Sequence, residues 1–218
     1  MKKFVALLFI FIGVLVFALT GCSNNDIFTE KSYSSGEIEK ISVEVENREV
    51  EIVVSNDNQI HIDYFDGEKE YLDISVSENG ELTIKIQYDK KWSDFISMKP
   101  EAKYRKINIK IPNNMINEVS VKTTNANIKA TSLSIKENIL LDSNGGDIAC
   151  DRINVGKSIS LKAKNGNISG SVIGGWDDFS IVCTIKKGDC NLPELKEGGN
   201  KSFSADCNNG DINIEFIK

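Results

Sequence analysis

From Val121 to the C-terminus one short phrase returns every 20 to 22 residues: an Asn, Gly or Asp turn followed by an apolar residue. The turns are Asn125-Ala126-Asn127-Ile128, Asn144-Gly145-Gly146-Asp147-Ile148, Asn165-Gly166-Asn167-Ile168, Lys187-Gly188-Asp189-Cys190 and Asn209-Gly210-Asp211-Ile212. A fixed period of this length, with a turn signal and a short strand in every copy, predicts a β-solenoid, because each unit can bury its apolar face only against the next. Aligned on the turn, the repeats give four inward columns. Val121, Leu141, Leu161, Cys183 and Ala205 form one, and Thr123, Ser143, Ala163, Ile185 and Cys207 the next. After the turn come Ile128, Ile148, Ile168, Cys190 and Ile212, then Ala130, Cys150, Gly170, Leu192 and Ile214. Leu133/Ile135 and Ile153/Val155 add a third short strand to the earlier coils.

Upstream of the repeats the apolar pattern is still period two. Val43, Val45, Val50, Ile52 and Val54 alternate with glutamates, and the alternation continues in Ile60-Ile62-Tyr64, Leu72-Ile74-Val76, Leu82-Ile84-Ile86 and Ile107-Ile109-Ile111. Such alternation puts one set of side chains in a core and the other in water. Residues 56–58, Asp66-Gly67 and Asn79-Gly80 punctuate the runs as turns. Pro112 and Pro193 fit edges or corners better than a central strand, since proline cannot donate to a ladder. The expected fold is all-β, a single β-solenoid domain over residues 38–218.

The first residues give an address. Lys2 and Lys3 precede an apolar run from Phe4 to Leu19, shorter than the roughly 20 residues a membrane helix needs and flanked as a secretory signal is. The run closes on Leu19-Thr20-Gly21-Cys22, which resembles the lipobox of bacterial lipoproteins in all four positions. That resemblance implies cleavage before Cys22 and diacylglycerol on its sulfur, an anchor worth roughly 0.8 kcal/mol per buried methylene. Residues 1–21 are then a signal peptide, and residues 22–37 the lipidated cysteine and a polar tether. The expected location is the extracytoplasmic face of the bacterial cell membrane.

The formal charge is −6 for the whole chain, a poor balance for nucleic acid, which selects basic faces. Within it, residues 22–84 carry −12 and residues 85–129 carry +6. The segment 88–106 concentrates that positive charge among aromatics. Lys90, Lys91, Trp92, Phe95, Lys103, Tyr104 and Arg105 are its candidate binding residues. Interleaved cations and rings suit a cell-wall polymer or an acidic envelope protein, while the alternative use of the same segment is as a cap on the end coil.

Other candidates carry less. His61, the single histidine, lies on the polar face of a strand, where nothing in the sequence supplies the positioned partner a general base needs. Cys150, Cys183, Cys190 and Cys207 lack the paired spacing of a metal site. They read as buried free thiols, with Cys183–Cys190 or Cys190–Cys207 left open as a disulfide. Asn127, Asp147, Asn167, Asp189 and Asp211 stack on successive turns, where closing a tight turn is the stronger use and calcium the weaker. Gly174-Gly175-Trp176-Asp177-Asp178 reads as a bend between coils.

Taken together, the Val50-Glu51-Ile52 coil, Asn79-Gly80-Glu81-Leu82-Thr83-Ile84, Ile109-Lys110-Ile111-Pro112-Asn113-Asn114 and the serial Asn-Gly-Asp-Ile turns resemble the bacterial "putative-adhesin" domain. That is a β-solenoid module of unknown function found in envelope proteins. The resemblance spans residues 38–218 and implies a fold and a cell-surface setting, with no catalytic residues or cofactor to carry over. The expected function is a non-catalytic, lipid-anchored envelope protein that presents its solenoid for adhesion or partner binding. The alternative is an envelope-stress sensor or regulator acting through a membrane protein. A polysaccharide-active enzyme is disfavoured because the acids spread along solvent edges instead of converging.

Overall fold

Residues 28–35, 38–89 and 100–218 are described by the computed structural model of the chain. Cys22, Lys90, Lys91, Trp92 and Phe95 lie outside the described residues. Among the described residues no helix is long and apolar enough to cross a membrane.

In chain order the N-terminal strands are β1 (Thr29–Ser35), β2 (Lys40–Glu46), β3 (Glu49–Val54), β4 (Ile60–Asp66), β5 (Glu70–Val76), β6 (Glu81–Tyr88) and β7 (Lys106–Ile111). The repeats follow as β8 (Glu118–Thr124), β9 (Ile128–Thr131), β10 (Ser134–Ile135), β11 (Asn138–Ser143), β12 (Ile148–Val155), β13 (Ser158–Asn165) and β14 (Ile168–Ile173). The chain ends with β15 (Phe179–Lys187), β16 (Leu195–Lys196), β17 (Lys201–Asn209) and β18 (Ile212–Ile217).

These strands build two sheets that face each other. One runs β1-β4-β7-β3-β9-β12-β14-β18, with β10 beside β12, and the other runs β16-β15-β17-β13-β11-β8-β2-β6-β5. Each coil except 179–192 gives one strand to each sheet, and stacked coils pair in parallel. The columns expected from the turn alignment are the ones observed. Val121, Leu141 and Leu161 are in register, as are Ile128, Ile148, Ile168 and Ile212. All seven are fully buried between the sheets, where a large aliphatic side chain contributes roughly 1.5–3 kcal/mol. The short third strand is also present, β10 pairing with the end of β12.

The stacking order departs from the chain order in two places. Leu161 pairs with Ala205, which pairs in turn with Cys183, so the last coil in sequence lies inside and the coil 179–192 lies at the end of the stack. The reason is the open edge. The 201–217 coil has full strands for both sheets, whereas the 179–192 coil meets the other sheet only through a single bridge from Cys190 to Ile212. It is covered on its outer side by the two-residue antiparallel β16, just after Pro193. Edges blunted by proline and very short strands resist further pairing. The second departure is that the β2–β3 coil sits between β6–β7 and β8–β9.

The N-terminal end is closed by antiparallel strands: β1 on β4, β4 on β7, and β5 on β6. Residues 29–35, expected within the polar tether, are therefore an edge strand. Their partly buried Tyr33 packs on the core and Lys31 reaches Asp66 at 3.1 Å, contacts that a period-two apolar reading does not detect.

Candidate functional site

The outer face of the second sheet carries charge in a regular row. Asp73, Lys85, Glu44, Lys122, Asp142, Lys162 and Asp206 stand side by side on β5, β6, β2, β8, β11, β13 and β17. Their signs alternate from strand to strand at the spacing of neighbouring strands, about 4.8 Å. Beside that row runs a second made of Ser75, Thr83, Ser42, Ser120, Leu140, Ser160, Ser204 and Val182. Period-two alternation placed these side chains outward, and in-register pairing, parallel except between β5 and β6, lined them up.

A groove of about 460 Å³ opens on this face between β6, β2, β8 and β11, lined by Glu44, Glu46, Lys85, Gln87, Tyr88, Lys122, Asp142 and Asn144, among others. Tyr88 stands at its mouth, 37% exposed, and its hydroxyl donates to Glu46 Oε2 at 3.5 Å. Partial burial, reinforced by the Glu46 and Glu70 charges, pushes the Tyr88 phenol up to about 12, so it stays a donor at any physiological pH. Strand β6 ends at this residue. A second depression of about 580 Å³ lies among Ile38, Glu39, Glu78, Asn79, Gly80, Met115 and Lys136.

Three of the expected binding residues are in the described part of that segment, in and around a short turn of 3-10 helix, Ala102–Arg105. Lys103 is exposed, pairs with Glu101 at 3.0 Å, and has its ammonium 4.6 Å from the Tyr104 ring. Tyr104 faces inward: it stacks on Phe28 at 4.9 Å and meets Phe65 edge-on at 5.4 Å. Arg105 donates to the carbonyls of Pro100 at 2.9 Å and Asn47 at 3.4 Å. The structure thus gives Tyr104 and Arg105 the work of holding residues 100–105 down, and leaves Lys103 facing solvent.

Beneath this segment lies a residue that sequence reasoning missed. Arg48 is fully buried. Its Nη1 donates to the carbonyls of Phe65 at 2.9 Å and Tyr104 at 3.1 Å, and its Nη2 to Glu70 Oε1 at 3.0 Å. Burial lowers the guanidinium's pKa, and the neighbouring Glu70 and Asp66 charges oppose that shift. Arg48 occupies the turn position held in later coils by Ala126, Gly146 and Gly166. A large cation where the repeat calls for a small residue was the available signal. In the later coils nothing larger fits: a Cβ on Gly166 would lie 2.3 Å from the Gly146 carbonyl oxygen.

The other candidates settle into turns. Asn127 Oδ1 accepts the amide of Asp147 at 2.9 Å, Asp147 Oδ1 that of Asn167 at 2.7 Å, Asn167 Oδ1 that of Asp211 at 2.9 Å, and Asp211 Oδ1 that of Asp189 at 2.9 Å. This ladder spends one oxygen per coil on the backbone, and it follows the spatial order of the coils. Among the described residues no three His, Cys, Asp or Glu side chains gather to hold a metal. His61 does have partners, Asp57 Oδ1 at 2.9 Å and Ser34 Oγ at 3.3 Å. Asp57 lies four residues before His61 and also accepts from Ser55 Oγ and the Gln59 amide, as a turn-closing carboxylate does. The set stands on the outer face of β1 and β4, apart from both depressions.

The model of the family described as Toastrack DUF4097 matches residues 38–218, and the chain belongs to that family. No curated protein sequence matches it. Among solved structures it is similar to a "putative cell adhesion protein" from Clostridium sporogenes ATCC 15579, at 15% identity and a TM-score of 0.63, covering 86% of this chain and 100% of that one. A "putative adhesin" from Bacteroides fragilis NCTC 9343 matches at 16% identity and a TM-score of 0.36, covering 90% of this chain and 100% of that one. The first of these supports the fold.

Proposed function

We propose that this Toastrack-family chain is a non-catalytic envelope protein, anchored through diacylglycerol on Cys22, that binds a cell-wall polymer or an envelope protein at the groove beside residues 88–106. The observation that carries the reading is the position of that groove. It opens on the charge-alternating outer face at Tyr88, the residue from which the basic aromatic segment departs. Lys85 and Lys122 within it, and Lys90, Lys91 and Lys103 in the adjoining sequence, supply cations. Trp92 and Phe95 supply apolar area, and Tyr88 a hydroxyl. An open groove of this kind recognises an extended polymer or a partner surface by charge and stacking. The name carried by the similar protein from Clostridium sporogenes agrees with a surface role.

The test pairs Lys90→Glu/Lys91→Glu with Trp92→Ala/Phe95→Ala and measures binding to isolated cell wall and to anionic vesicles, alongside melting temperature. Lost binding with unchanged melting supports the site. The charge-reversed pair loses the part of binding that salt screens over roughly 8–10 Å, and the aromatic pair the salt-resistant part. A large fall in melting temperature for the aromatic pair, with binding per folded molecule intact, would show that the segment is a cap. For the anchor, Cys22→Ala abolishes labelling by an alkyne fatty acid, and equal labelling of both proteins overturns it.

A further inference from the structure

Each coil of the repeat holds two inward side chains seven residues apart, one on either side of its turn. They are Val121 and Ile128, Leu141 and Ile148, Leu161 and Ile168, Ala205 and Ile212, in register from coil to coil. In the coil 179–192 the same two positions are Cys183 and Cys190, in register with Ala205 and Ile212. Their sulfurs lie 2.9 Å apart, close enough for either thiol to donate to the other. This is the coil at the end of the stack, with a coil on one side and only the two residues of β16 on the other. Cys183 is nonetheless buried. Cys190 is only half-buried, whereas Ile128, Ile148, Ile168 and Ile212 are fully buried.

We propose that Cys183 and Cys190 form an intramolecular disulfide once the chain meets an oxidising compartment, closing the turn of the end coil with a covalent link where packing from a further coil is missing. The oxidising compartment follows from the exported location of the proposed function, so the inference rests on that reading. The oxidant is a disulfide of another protein or of a small thiol. Cys190, the more accessible thiol, loses its proton and attacks one sulfur of that disulfide, expelling one thiolate. Cys183 then attacks the Cys190 sulfur of the mixed disulfide, gives up its proton, and expels the second thiolate. Two cysteine thiols lose two electrons and two protons, and the oxidant leaves as two thiols. Burial, then the contact with Cys190, push the Cys183 thiol up to about 12, and the first attack falls to Cys190 because it is the thiol that solvent and an oxidant can reach. The other two cysteines are placed elsewhere. Cys207 donates to the carbonyls of Gly166 and Gly210 at 3.3 Å, and Cys150 is buried in register with Ala130 and Gly170.

Trypsin cleaves after Lys186 and Lys187, between the two cysteines, so the bond leaves two peptides joined. In one arm the full chain is extracted from the envelope in detergent with immediate thiol alkylation, unfolded, digested and weighed. In the other, the reduced purified chain is first exposed to oxidised glutathione. The expected result in both is a linked pair containing Cys183 and Cys190, with Cys150 and Cys207 alkylated. Reduction of the folded protein should also raise the rate of tryptic cleavage at Lys186–Lys187 by roughly tenfold or more, since closing the loop restrains local opening. A glutathione arm with no linked pair, or with Cys207 in the link, overturns the proposal. So does an envelope arm in which Cys22 carries lipid while the pair remains reduced. A linked pair in glutathione beside an envelope sample whose Cys22 is unlipidated and whose pair is reduced overturns the export reading, and leaves the disulfide pairing itself supported.

Discussion

Residues 118–217 and the described residues from 28 to 111 both line a core between two sheets, but they satisfy their polar groups by opposite means. In the C-terminal stack each coil copies the last. A side-chain oxygen at one turn accepts the amide at the next through Asn127, Asp147, Asn167 and Asp211, and small donors such as Ser143 and Cys207 reach the turn carbonyl of the coil beside them. At the N-terminal end there is no further copy to lean on. Antiparallel strands fold over the edge, and one buried cation, Arg48, gathers the carbonyls of Phe65 and Tyr104 and the carboxylate of Glu70. Repetition spreads the stabilisation over many small equal terms. Closure concentrates it in one network, where a single loss is felt in full.

The comparison is broken most severely at the centre of the stack. Ile168→Asp places an unpaired carboxylate in the column between Ile148 and Ile212 and costs more than about 4 kcal/mol, enough to unfold the C-terminal coils. Urea unfolding checks it, and a mild effect would refute the register. Next in size is Glu70→Ala, which leaves the buried Arg48 charge without its carboxylate and costs about 3–5 kcal/mol. The double replacement Arg48→Met/Glu70→Leu recovers most of that loss if the network acts as a unit, and a double-mutant cycle measures the coupling.

A single rung of the ladder is worth far less. Asn167→Ala removes one acceptor at a solvent-exposed turn, whose freed amide can turn to water, and costs about 0.5–1.5 kcal/mol. A loss as large as that at Glu70 would mean that the stack, too, depends on individual groups. The smallest effect is at Asp57. Hydrogen bonds from His61, then from Ser55 and Gln59, hold its carboxyl down at about 2. A depressed carboxylate contributes stability above its unfolded pKa and loses it as pH falls through the folded value. The stability difference between the wild type and Asp57→Asn should therefore shrink as pH drops from roughly 4 to roughly 2, read by thermal unfolding across that range.

Much of this architecture was legible in the chain. Strand faces follow from period-two alternation, and the columns from aligning turns, because both are local: the side chain's direction is fixed by its place in its own strand. The candidate site was legible only in part. The segment 88–106 announced itself by composition, but its composition could not show that Tyr104 and Arg105 turn inward while Lys103 faces water. Nor could it show that a groove opens beside Tyr88, since the walls of that groove come from four strands distant in sequence. Arg48 was hidden for the same reason, its partners being 17, 22 and 56 residues away.

By itself, then, the sequence determined an all-β stack, the inward and outward set of every coil, and the turns that carry the ladder. The tertiary structure alone decided which coil lies against which. Columns of Ile, Leu, Val and Ala accept any similar neighbour, so the repeat contains no instruction about order. Order is decided at the ends, where an unpaired edge is costly. The coil with Pro193, a two-residue cover strand and the Cys183–Cys190 contact can stand outermost, and the coil 201–217, complete on both sheets, is drawn inside.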